Sequence, residues 1–219
     1  MQTISVIGGS GELGGGLAQR WAKAGLPVIV GSRNAERAAE VAAKLNSAAG
    51  NDLARGMDNA AAAAAGDIVV LTVKFSHHAA TLNELKDALQ GKILIDTTVP
   101  LVPPKVARVQ LPAEGSAAVI AQQILGDGVR VVSAFQNVSA SSLVSEQPPE
   151  CDVLVTGGNP DARETVIELA AAAGFKGWHA GPLENSAAAE ALTSVLIFMN
   201  KKYSSDHCGI RISGTDAGH

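Results

Sequence analysis

The sequence predicts an α/β fold: a doubly wound, mostly parallel sheet with a small C-terminal extension of helical and mixed structure. Three observations predict it. Short apolar, β-branched runs alternate with helical patterns, as strands buried on both faces and their crossover helices should. A glycine-rich turn joins the first such run to the first helix. The chain of 219 residues is 47% hydrophobic and 17% charged, enough apolar material for a sizeable core without disulfides or metal.

Taken in order, the strand-like runs are Ile4–Ile7, 28–30, 68–73, 93–95 and 131–135. From Glu12, the residues Leu13, Leu17 and Trp21 recur every four positions on one helix face. Asn34 is placed to cap a second helix carrying Ala38, Val41, Ala42 and Leu45, and 60–65 is an alanine helix thin enough to lie close to a sheet. Farther on, 152–156 reads as a strand. Asn159-Pro160 opens a helix that ends before Gly174, and a weak strand follows near 178–180. A last helix from Ser186 puts Leu192, Val195, Leu196 and Met199 on one face, as core or dimer interface. The polar tail from Tyr203 receives no assignment.

A net charge of −4 and an aromatic content of 3% give neither bulk attraction for nucleic acid nor a supply of stacking rings. No basic run, lipidation motif or signal-peptide pattern is visible, and Gly66 and Asp67 break the longest apolar stretch before it could span a bilayer. Cys151 and Cys208 are far apart and form no C-x-x-C pair; two reduced thiols in a cytoplasmic protein are expected.

The turn after the first strand contains G-x-G-x-x-G at Gly9, Gly11 and Gly14. In a strand–turn–helix context this is the Rossmann-type dinucleotide signature. Gly9 permits the tight turn, Gly11 lets backbone approach a pyrophosphate, and Gly14 lets helix and strand pack closely. The pyrophosphate would rest on the helix N-terminus. The second strand ends in Gly31-Ser32-Arg33, where an NAD site usually has a carboxylate for the ribose hydroxyl. Ser32 and Arg33, with Arg37 one helical turn on, suit a 2′-phosphate, so the expected nucleotide is NADP. Each hydrogen bond to a charged group is worth about 1.5–3 kcal/mol.

Several stretches together resemble the coenzyme F420-dependent NADP oxidoreductases, also called NADPH-dependent F420 reductases. They are 8–14, 28–33, 67–72, 116–125, 131–134 and Ala180-Gly181-Pro182-Leu183-Glu184-Asn185-Ser186, the last being the most specific. The resemblance implies hydride transfer between C4 of the nicotinamide and C5 of the deazaflavin, usually by a homodimer. It implies a nucleotide-binding domain over 1–144 and a small extension over 145–219 that completes the second-substrate site and dimer interface; the stretch 145–150, with Pro148-Pro149, is the expected boundary. Carried over by position, Ser10, Gly11, Glu12 and Leu13 hold the pyrophosphate and nearby ribose, and Ser32, Arg33 and Arg37 hold the 2′-phosphate. Val73, Phe75, Leu101 and Ala140 line the nicotinamide half, and His77 matches a histidine of some members. Two departures stand out. Val73-Lys74-Phe75 replaces Ile-Pro-Trp, and Phe135-Gln136 replaces the Leu-His of some members near the deazaflavin side. The tail beyond Ser213 has no counterpart.

Hydride transfer between two organic cofactors needs positioning and exclusion of water more than side-chain chemistry, so no catalytic triad is expected. His77 or His78 could relay a proton or contact phosphate; the plainer expectation, favoured for His78, is a solvated residue at a helix N-terminus. Asp96, at the end of the fourth predicted strand, could meet a ligand or cap the next turn and receives no role. His207-Cys208 is not read as a metal site. The rival readings are an NADPH-dependent reductase of a flavin or other small acceptor, and a non-catalytic NADP-binding sensor. A metal-reducing membrane protein is disfavoured for want of spanning helices.

Overall fold

The computed structural model describes residues 2–145, 147 and 149–214. Eight strands form one sheet in the order β3-β2-β1-β4-β5-β6-β7-β8. They are β1 (Ile4–Ile7), β2 (Val28–Ser32), β3 (Ala54–Asp58), β4 (Ile68–Leu71), β5 (Ile93–Asp96), β6 (Arg130–Ser133), β7 (Asp152–Gly157) and β8 (Lys176–His179). All neighbours pair in parallel except β6 and β7, which meet antiparallel over two residue pairs. The segment after residue 144 therefore adds two strands to the same sheet.

The helices are α1 (Glu12–Lys23), α2 (Ala35–Ala49), α3 (Asn59–Ala65), α4 (Phe75–Leu89), α5 (Ala117–Leu125), α6 (Ala140–Val144), α7 (Pro160–Ala172) and α8 (Ser186–Tyr203). Alternation along the strands sorts the core into two layers. Val6, Val28, Val30, Val70 and Ile95 pack with Leu17 and Trp21 of α1 and Val166 of α7. Ile7, Ile29, Val69, Leu71 and Leu94 pack with α3, α4 and α5 on the other face. The Trp21 indole N–H donates to the Leu169 carbonyl at 2.8 Å and ties α1 to α7.

The caps form where local chemistry predicts them. The Asn34 side chain accepts from the Arg37 N–H, and Asn159 accepts from Ala162 with Pro160 in the first turn. Several expectations need correction. The strand expected over 68–73 stops at Leu71, because Thr72 turns its hydroxyl onto the Ile7 carbonyl. The strand expected to reach 135 stops at Ser133: Phe135 takes φ +70° and buries its ring against Trp21 and Phe175. The weak strand lies at Lys176–His179, starting two residues and ending one residue before the expected 178–180. Edge strand β3 was not foreseen. Its sequence, Ala-Arg-Gly-Met-Asp, lacks an apolar pattern, and it passes so close under α2 that a Cβ at Gly56 would lie 2.2 Å from the Ala38 carbonyl carbon. On α8, Leu196 is buried, but Val195 and Met199 are exposed together with Phe198 and Tyr203. The tail is tied back: the Asp152 N–H donates to the Ile210 carbonyl, and the Cys208 N–H to the Asn200 side chain.

Candidate functional site

At the carboxyl ends of β1, β2 and β4 the chain opens a cleft of about 570 Å³. The turn leaving β1 sets its floor. Gly8 has φ +81° and is the residue in the left-handed region, rather than Gly9. Gly9 is required by proximity, since a Cβ there would lie 2.8 Å from the Val6 carbonyl oxygen. At Gly14 a Cβ would lie 2.4 Å from Thr72 Oγ1 and 2.9 Å from the Gly8 oxygen, so α1 packs directly on the β1–β4 junction. At exposed Gly11 it would meet only the Gly8 oxygen, at 3.2 Å, leaving backbone open to a ligand. Gly11 is the N-cap of α1 and supplies no side-chain acceptor, so the first-turn N–H groups face the cleft mouth uncapped.

Ser10, Gly11, Ser32, Arg33, Arg37, Val73 and His77 line this cleft together. Ser32 is buried, and its hydroxyl accepts from Ser10 Oγ and from the Asn34 N–H, both at 3.3 Å. Arg33 and Arg37 are exposed, and among the described residues neither pairs with a carboxylate. Glu12 and Leu13 lie in the first turn of α1 beside the cleft; Glu12 is exposed, whereas Leu13 packs against the core. Phe75, Leu101 and Ala140 do not line it. They stand at the same edge of the sheet, at the start of α4, after β5 and at the start of α6. Sequence reasoning missed Asn59, Thr72, Lys74, Thr81 and Glu84, which complete the walls. Lys74 was visible only as a departure from the family pattern, and Asn59 follows the edge strand that the sequence did not reveal.

His78 corrects an expectation: it is 1% exposed, not solvated. Its Nε2 lies 2.6 Å from Asp96 Oδ2, while Asp96 Oδ1 accepts from the Thr98 N–H at 2.9 Å. Asp96 thus caps its own turn and also holds an imidazole. Nearby, the buried Glu190 carboxyl of α8 accepts from the N–H groups of Ala117 (2.7 Å) and Ala118 (3.2 Å) at the start of α5. Burial pushes Glu190 up to about 8; the two amide bonds oppose that rise, and the charge of Asp96 adds to it. The His207 ring bonds to its neighbour Asp206, and among the described residues no group of three or more His, Cys, Asp or Glu side chains is placed to hold a metal ion.

A family model described as NADP oxidoreductase, coenzyme F420-dependent, matches residues 3–100. The F420-dependent NADP reductase of Methanothermobacter thermautotrophicus is 42% identical over 218 residues, covering 96% of this chain and 94% of its own. This chain belongs to the F420-dependent NADP reductase family. The family's protein from Methanocaldococcus jannaschii is 38% identical, covering 97% of this chain and 99% of its own. A rat metalloreductase, STEAP3, is 31% identical over 84% of this chain but only 35% of its own length. Among solved structures, a hypothetical protein of Sinorhizobium meliloti superposes with a TM-score of 0.71 at 24% identity, covering 85% of this chain and 88% of its own. An imine reductase of Myxococcus stipitatus gives 0.62 at 23% identity, covering 93% and 62%. At those identities the two structures support the Rossmann-type fold alone.

Glu190 gives this reductase a pH signature. A carboxyl held at about 8 in the folded chain keeps a proton that the unfolded chain has already lost above its ordinary value of 4.5. Stability should therefore fall as pH rises from about 4.5 to about 8. Urea unfolding across that window should show a shallower fall in Glu190→Gln than in wild type. Parallel slopes would mean that Glu190 is already ionised in the folded protein.

Proposed function

We propose that this chain transfers hydride between NADP(H) and the deazaflavin coenzyme F420. One observation carries the reading: a glycine turn and the exposed Arg33 and Arg37 share one cleft, in a chain that matches F420-dependent NADP reductases over nearly its whole length. When bound, the reduced nicotinamide supplies hydride from C4 to C5 of the deazaflavin. The chain's own residues do the positioning. The uncapped N–H groups of α1 and the backbone at Gly11 hold the pyrophosphate, with Ser10, Glu12 and Leu13 flanking it. Gly9 and Gly14 set the close packing that aims α1. Ser32, Arg33 and Arg37 hold the 2′-phosphate. Val73 leads from the cleft toward Phe75, Leu101 and Ala140, which form the nicotinamide wall, with His77 at its rim.

The segment 145–219 completes the second-substrate site. In support, Asn137 donates to the Ala189 carbonyl and Thr193 Oγ1 to the Gln136 carbonyl, fastening α8 to the loop after β6. The exposed apolar face of α8, with Val195, Phe198, Met199 and Tyr203, supports a homodimer. Among the described residues no helix is long and apolar enough to cross a membrane. A cytoplasmic location accords with the free thiols of Cys151 and Cys208.

Anaerobic mixing with NADPH and oxidised F420 tests the reaction, with NADH and FMN in parallel. F420 absorbance should be lost with NADPH and little with NADH. Arg33→Asp should weaken NADPH roughly 10- to 100-fold, from the loss of one charge-assisted contact, with little change for NADH. Equal effects on both nucleotides would remove the 2′-phosphate assignment, and NADPH binding without F420 reduction would remove the acceptor. Sedimentation should show a dimer that Phe198→Glu converts to monomer; a wild-type monomer at all concentrations would exclude the homodimer.

A further inference from the structure

The carboxyl ends of β4, β5 and β6 enclose an ionisable cluster that the nucleotide cleft does not use. His78 points inward from the first turn of α4, one residue beyond the cleft-lining His77. It and Asp96 are 1% and 0% exposed and lie 2.6 Å apart. Gln136 Nε2 donates to the Asp96 carbonyl and to Ser133 Oγ, both at 2.8 Å. Each side chain of the three residues fastened to Asp96 retains one buried polar atom that has no partner among the described residues: His78 Nδ1, Thr98 Oγ1 and Gln136 Oε1. Buried polar atoms are ordinarily paired, so three exceptions around one carboxylate require an explanation. A fold needing only a cap at Asp96 has that already in the Thr98 N–H.

The cluster lies beside the expected nicotinamide wall. Asp96 is in register with Leu71, and Val73, two residues farther along, lines the cleft. The Phe75 ring stacks on the His78 ring with centroids 6.1 Å apart. Of the ionisable groups, Asp96 from β5 meets His78 and Glu190 from α8 acts on Asp96; Lys74 and His77, its neighbours in sequence at the start of α4, line the cleft, and α5 carries none.

On the reading that F420 is the acceptor, hydride transfer leaves half of the chemistry undone. NADPH gives up two electrons and one proton as hydride, and the acceptor, having gained a C–H bond and a negative charge, takes up one further proton. We propose that His78, oriented by Asp96, stores that proton and passes it through intervening groups toward the second substrate. An imidazolium N–H bond breaks and a bond to hydrogen forms on the reduced acceptor. No electrons are exchanged with the protein, and solvent reprotonates His78 before the next turnover. The reverse reaction returns the proton to His78, which makes it a positioning residue for the proton and leaves the hydride step to the two substrates.

Two measurements on the full chain test this. In the first, ¹⁵N-histidine NMR follows His78 across the pH range of activity while single-turnover F420 reduction is recorded. His78 should titrate where the rate of F420 reduction inflects, with that rate falling as pH rises and the rate of NADP⁺ reduction by reduced F420 changing in the opposite sense. A His78 that keeps one protonation state, or titrates elsewhere, overturns the proposal. In the second, His78→Gln keeps a partner for Asp96 but carries no exchangeable proton charge. It should lose the inflection in both directions and slow on the order of 10²-fold, with NADPH affinity unchanged. An inflection that survives in His78→Gln overturns the proposal; if that variant does not fold, the wild-type NMR comparison decides alone. Wild-type protein that never reduces F420 would remove the parent reaction and the proton assignment together, whereas turnover with an unaltered profile in His78→Gln would remove the assignment alone.

Discussion

At residue 14 there is no room for a methyl group, because Thr72 Oγ1 and the Gly8 carbonyl occupy the space a side chain would need. Thr72 is held there by its bond to the Ile7 carbonyl at 2.8 Å. This contact among β1, α1 and the end of β4 places the uncapped start of α1 over the crevice between β1 and β4. At that crevice the strand order leaves β1 toward β2 on one side and β4 on the other. The cleft, the uncapped helix end at its mouth and its reach toward Val73 all follow from how closely one helix can approach one strand.

From that point the site divides by chemistry. Toward β2 it is cationic and exposed: among the described residues Arg33 and Arg37 pair with no carboxylate, and Lys74 stands in the same lining as Glu84. Exposed cations suit a phosphate that must bind and leave, since they keep their hydration until the ligand arrives. Toward β5 and β6 the polar groups are buried and fixed. Asp96, His78 and Glu190 are held by short bonds where charge is expensive to maintain.

Local signals made the nucleotide half of the molecule legible. The glycine spacing, the cap at Asn34 and the absence of a carboxylate after β2 each act within a few residues, so each could be read in one dimension. Features that depend on distant partners were hidden. Nothing local shows that His78 meets a residue 18 positions away, or that Glu190 caps a helix 73 positions earlier. Phe135 continues the apolar run of β6, yet its side chain is drawn into the aromatic contact with Trp21 and Phe175 and the strand ends before it. Edge strand β3 owes its place to backbone pairing with β2 and close packing under α2, neither of which leaves an apolar pattern.

The nucleotide preference rests on recognition of a 2′-phosphate at the end of β2, and calorimetry with adenosine fragments tests it without any hydride acceptor. Adenosine 2′,5′-bisphosphate should bind at least about tenfold more tightly than adenosine 5′-monophosphate, with the advantage shrinking as salt is raised. Equal affinity for the two fragments, or an advantage indifferent to salt, would contradict the assignment of Ser32, Arg33 and Arg37 and with it the nucleotide preference of the site.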